Sequence, residues 1–99
     1  MEQFGLTERT LSQIKSFLAQ YPEIKLVKVY GSRAMGTYWR GSDIDLAIYG
    51  ECENLLGEII TGLDELATPY KFDVTDYEHV ENIELKEHID RIGKIIYSR

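Results

Sequence analysis

Apolar residues recur at helical spacing through Leu11, Ile14, Phe17, Leu18 and Tyr21, which predicts a helix over 7–20. Thr7 is a suitable N-cap, Glu8 suits the positive end, and Pro22 stops the helix. Ile24, Leu26, Val27, Val29 and Tyr30 then predict a strand over 24–30. Gly31 ends that strand, and Ser32 is placed to cap a short helix reaching about residue 37. A loop over 37–42 leads to a mostly buried strand at 44–49, closed by Gly50. Leu55, Leu56, Ile59, Ile60, Leu63 and Leu66 give a second amphipathic helix over 52–67. Gly57 and Gly62 each weaken it by about 1 kcal/mol relative to Ala, so they are expected to mark close packing. Pro69 ends it, and a third strand is expected at 71–76. Asn82 can cap a last helix over 82–97, with Leu85, Ile89, Ile92, Ile95 and Ile96 along one face. The class is α/β, in the order α-β-α-β-α-β-α, with a small mixed β-sheet flanked by helices. The expected organisation is a single domain, 1–99.

Composition narrows this picture. Ninety-nine residues at 43% hydrophobic content allow one modest core. No segment approaches the roughly 20 apolar residues of a membrane span. The N-terminus lacks a basic region followed by an apolar stretch, so no secretory signal is expected. The lone Cys52 cannot form an internal disulfide, which fits a reducing, cytoplasmic setting, and nothing near it suggests a nucleophile. The formal net charge is −6, with no basic patch. That weighs against long nucleic acid as a partner. It leaves a triphosphate open, because bound metal ions invert the local charge balance.

The chemistry concentrates in Tyr30-Gly31-Ser32-Arg33-Ala34-Met35-Gly36 and in Gly41-Ser42-Asp43-Ile44-Asp45-Leu46-Ala47-Ile48. Residues i and i+2 of a strand share a face, so Asp43 and Asp45 are expected side by side, about 7 Å apart at Cα. Two carboxylates that close call for a positive charge between them. Magnesium, a hard cation that takes carboxylate and phosphate oxygens, suits them. Gly31-Ser32 supplies the complementary half. A Gly-Ser turn opening a helix presents free N–H groups and a positive dipole end to phosphate.

With Gly31 and Ser32 followed at this spacing by Asp43 and Asp45, the chain resembles the nucleotidyltransferase superfamily that includes polymerase beta. Within it, the chain is most similar to the minimal nucleotidyltransferases (MNT). The superfamily carries a third carboxylate on a later strand, and Lys71-Phe72-Asp73-Val74-Thr75-Asp76 occupies that place. Asp73 is the first candidate and Asp76 the fallback. The C-terminal Ile89, Ile92, Gly93, Ile95, Ile96 and Tyr97 resemble the closing helix of minimal members. Met35 departs from the pattern, since many minimal members have a second arginine there.

The resemblance implies a set of roles. Asp43, Asp45 and Asp73 would be the catalytic and metal-binding carboxylates, holding two Mg2+ ions. Gly31, Ser32, Arg33 and Ser42 would bind the nucleotide phosphates, with Arg40 also available. ATP would be the substrate. The chain is too short for the acceptor domain of larger members, so a partner is expected to complete the site. Minimal members are often paired with a helical HEPN toxin and act as its antitoxin by adding AMP to a tyrosine. The leading expectation is therefore a hetero-oligomer with a HEPN-type protein. Two alternatives stand beside it: nucleotidyl transfer to a small, aminoglycoside-like acceptor, and a contact-only antitoxin. Tyr38 and Trp39 line a nucleotide pocket, cover the core edge or form a partner surface. His79 and His88 are isolated in sequence and read as surface residues, and one Cys with two distant His does not make a zinc site.

Overall fold

The computed structural model describes residues 3–99. Helix α1 spans Glu8–Leu18 and is capped by Thr7, whose side chain accepts the N–H of Thr10 at 3.2 Å. Thr10, Leu11, Ile14 and Leu18 form its buried face. Strand β1 is Ile24–Tyr30, helix α2 the single turn Ser32–Met35, and strand β2 Ile44–Gly50. A 3-10 turn at Glu53–Leu55 runs into helix α3, Leu56–Asp64. Strand β3 is Phe72–Asp76, followed by a 3-10 turn at Tyr77–His79 and helix α4, Ile83–Ile92. Asn82 caps α4 by accepting the N–H of Leu85 at 3.1 Å.

The chain ends differently from the expected helix over 82–97. Gly93 leaves the helical conformation (φ −57, ψ 141), and Lys94–Ser98 form strand β4. The turn is tight, since a Cβ on Gly93 would lie 2.5 Å from the Ile89 carbonyl oxygen. β-Branched Ile95 and Ile96 favour extended backbone, and the open edge of β1 supplies their hydrogen-bonding partner. Ile89 and Ile92 thus belong to the helix, whereas Ile95, Ile96 and Tyr97 belong to a strand paired antiparallel with β1.

The mixed sheet has the order β3-β2-β1-β4. β1 is antiparallel to both its neighbours, and β2 is parallel to β3 through the α3 crossover. One face carries Val27, Val29, Ile44, Leu46, Ile48 and Ile96 into the main core with residues of α1 and α3. The other carries Tyr30 and Ala47 against Ile89 and Leu85 of α4. Gly62 is a close-packing position, because a Cβ there would meet the Phe17 ring at 2.2 Å. Gly57 is not, since its Cβ would project into open space. Cys52 is buried, which pushes its thiol pKa up. Among the described residues no helix is long and apolar enough to cross a membrane.

Candidate active site

The site is built where β1, β2 and β3 lie side by side. The Ile44 N–H donates to the Lys71 carbonyl at 2.9 Å, which aligns the starts of β2 and β3. Asp45 is then the direct partner of Asp73, and Tyr30 is the partner of Asp45 on the other side. Neighbouring strands are about 4.8 Å apart, and paired residues share a face. A row Tyr30–Asp45–Asp73 therefore crosses the sheet on the α4 side. Asp73 is exposed and Asp45 half-buried. Asp43 falls one residue ahead of β2 and is exposed, so only Asp45 of the expected strand pair lies within the strand.

Burial pushes the Asp45 carboxyl up to about 6, with the charges of Asp73 and Asp43 adding to the rise and Arg33 opposing it. Among the described residues no Lys or Arg forms an ion pair with any of the three aspartates. Nor are three metal-ligating side chains already gathered into one cluster among those residues. An all-oxygen donor set with uncompensated negative charge nevertheless fits a hard divalent cation.

Gly31 joins β1 to α2 at φ 72, ψ −152, a conformation that suits glycine. A Cβ on Gly31 would sit 2.3 Å from Asp45 Oδ2, so the carboxylate lies directly against the turn. Gly31 is itself the N-cap of α2, and Ser32 is the first helical residue rather than the cap. The turn thus lies against Asp45, whose strand partner on the far side is Asp73.

Arg33 and Ser42 have a different place. Arg33 is 2% exposed, and its guanidinium donates to the carbonyls of Ser42 (2.8 and 3.2 Å), Phe4 (2.9 Å) and Arg40 (3.3 Å). Its guanidinium carbon lies over the rings of Tyr38 and Tyr70, 5.2 and 4.8 Å from their centroids. In this structure it straps the loop that delivers Asp43 rather than facing a phosphate. The Ser42 hydroxyl is likewise engaged, accepting the Trp39 N–H at 2.9 Å. Tyr38 covers Arg33, while Trp39 is 72% exposed.

Asp76 points away from the pair. It is registered with Ile48, whose side chain enters the main core, and it holds the 3-10 turn after β3. Its carboxylate accepts the Glu78 N–H at 3.2 Å and pairs with His79 at 2.8 Å. The Asp76 bond pushes the His79 pKa up.

Three residues beside the carboxylates had no assigned role. The Tyr30 phenol shares a 2.8 Å hydrogen bond with Thr75, so its ring spans β2 beneath the site. Burial pushes that phenol pKa up, the Thr75 bond opposes this, and the charges of Asp73 and Asp45 raise it further. His88 is half-buried rather than a free surface residue, and its Nε2 accepts the Gly31 N–H at 3.1 Å. The signal for His88 lay in its spacing, since it falls three residues after Leu85 and beside Ile89 on the apolar face of α4.

The family model described as polymerase beta, nucleotidyltransferase matches residues 12–99. No curated protein matches the chain. Among solved structures, it is similar to a toxin-antitoxin crystal structure with AMP-PNP. The identity is 23%, the TM-score 0.71, and the match covers 95% of this chain and 75% of that one. It is also similar to a structure of tri-AMPylated Shewanella oneidensis HEPN toxin in complex with MNT antitoxin. There the identity is 18% and the TM-score 0.70, over 95% of this chain and 74% of that one. A third, the toxin-antitoxin MntA-HepT, matches at 18% identity and a TM-score of 0.68, over 94% and 74% of the two chains. At these identities the likeness establishes a shared fold.

Proposed function

The chain belongs to the polymerase beta nucleotidyltransferase family, and from that premise we propose that it transfers AMP from ATP to a tyrosine of a helical HEPN-type toxin, serving as its antitoxin. The observation that carries this reading is the Asp45–Asp73 register beside the Gly31 turn. The acceptor is inferred from structures of the same fold, one of which contains an AMPylated HEPN toxin beside an MNT antitoxin.

The residues divide the work as follows. Ser32, at the start of α2, offers its N–H and hydroxyl to the triphosphate, and Gly31 allows the close approach. Asp43, Asp45 and Asp73 would hold magnesium, which when bound supplies charge neutralisation along the triphosphate and at the attacking oxygen. Asp45 is the most enclosed of the three, and a cation beside it would offset the burial that pushes its carboxyl up. Asp73, exposed at the edge of the site, would take the proton of the incoming phenol. The phenol oxygen bonds to the α-phosphorus as the bond to pyrophosphate breaks. Tyr30 and Thr75 hold the floor of the site in register.

Incubation with α-labelled ATP, magnesium and a co-encoded helical toxin tests the reading. Label is expected on the toxin. A toxin neutralised without label would refute transfer and favour inhibition by contact.

A further inference from the structure

The Gly31 N–H, which the sequence alone would give to a phosphate, is already taken. It donates to His88 Nε2 at 3.1 Å, across 57 residues of sequence. An imidazole accepting at Nε2 carries its proton on Nδ1, so the neutral ring is the one that fits. The ring also stands edge-on to Tyr30, with centroids 6.0 Å apart and planes at 79°. Tyr30 is in turn tied to Thr75 on β3. His88 therefore grips the turn from the α4 side, while the Asp45 carboxylate touches it from β2.

His88 sits on a fixed stretch of helix. Its neighbour Ile89 is fully buried against Tyr30 and Ala47, so α4 is anchored next to the contact. A phosphate that displaced the imidazole would cost the ring nitrogen its Gly31 donor. The contact is thus built to persist when the triphosphate arrives.

We propose that His88 is a positioning residue for the triphosphate: by accepting the Gly31 N–H it holds the turn so that Ser32 supplies the phosphate donors. This deepens the nucleotidyl-transfer reading and rests on it. His88 acts through Gly31 and takes no part in bond making.

The protein with a co-encoded helical toxin tests this through His88→Leu and His88→Gln. Leu keeps bulk but cannot accept a hydrogen bond, whereas the Gln side-chain oxygen can. A turn held for binding in both ground and transition states predicts a KM for ATP raised about tenfold in H88L, with kcat within about twofold. H88Q should recover to within about threefold of wild type on the same basis. The Gly31 amide should stay protected from hydrogen exchange in the wild type at saturating AMP-PNP and magnesium. Equal impairment of both variants would reduce His88 to packing and overturn the proposal. So would an unchanged KM in H88L, a fall confined to kcat, or loss of Gly31 protection on AMP-PNP binding. If the wild type binds AMP-PNP but modifies no toxin, the acceptor reading fails alone, and AMP-PNP affinity of the two variants still decides the role of His88.

Discussion

Asp45→Asn should make the metal-free protein more stable at neutral pH. The Asp45 carboxyl is pushed from 3.8 to about 6 by burial and by the charges of Asp73 and Asp43. Its folded value lies above its unfolded one, so the native state binds the proton more tightly between those limits. Stability from this group is therefore full below about pH 4 and is lost as pH rises through about 6. At about 1.4 kcal/mol per pH unit the ceiling is ~3 kcal/mol. Asp45 is only half-buried, and solvent screening brings that to ~1–2 kcal/mol. Asn keeps the shape and removes the charge. At pH 7.5 without divalent ions, D45N should melt higher by about 4–8 °C per kcal/mol for a chain of this size. At pH 3, below both values, the two proteins should melt together. Added magnesium should raise the wild-type midpoint and leave that of D45N nearly unmoved, because only the wild type gains a ligand-linked term. Differential scanning calorimetry at both pH values, with and without magnesium, reads all four cases. A wild type as stable as D45N at pH 7.5, free of metal, would refute the view that Asp45 carries uncompensated charge.

Two further results are expected. Arg33→Met should cost about 2–4 kcal/mol in urea unfolding, because the carbonyls of Ser42, Arg40 and Phe4 lose a buried donor. Arg33→Lys should recover little, since an ammonium cannot reproduce the planar fork that reaches three carbonyls and lies over Tyr38 and Tyr70. The two glycines of α3 should respond with opposite signs: Gly57→Ala gains about 0.5–1 kcal/mol, and Gly62→Ala loses about 1 kcal/mol because its methyl meets Phe17. Chemical denaturation of the pair checks this directly.

Local pattern carried much of the architecture. Thr7 and Pro22 bracket α1, and the β-rich runs at 24–30 and 44–49 became β1 and β2 because their side chains enter the core at alternate positions. The C-terminus was ambiguous for a physical reason. Ile89, Ile92, Ile95 and Ile96 satisfy a helical period, yet Ile95 and Ile96 equally suit a strand. What decides is the free edge of β1, a tertiary fact, although Gly93 marked the place of the break. In the site, strand parity separates Asp73 from Asp76, because residues three apart face opposite ways. Gly31 beside Asp45 was legible from motif spacing. Arg33 was not, since an arginine after Gly-Ser looks like a phosphate ligand until the 37–43 loop is seen to wrap around it. His88 was hidden by distance in sequence, as its partner lies 57 residues away.

The most direct test of the central claim is intact-mass spectrometry of a co-encoded helical toxin after incubation with this protein, ATP and magnesium. The account predicts AMP-sized mass additions that map to tyrosine. They should vanish with Asp45→Asn and with Asp73→Asn. They should persist with Asp76→Asn, whose carboxylate only holds the turn after β3 and His79. An unmodified toxin, or modification that survives loss of Asp45 and Asp73, would contradict the account.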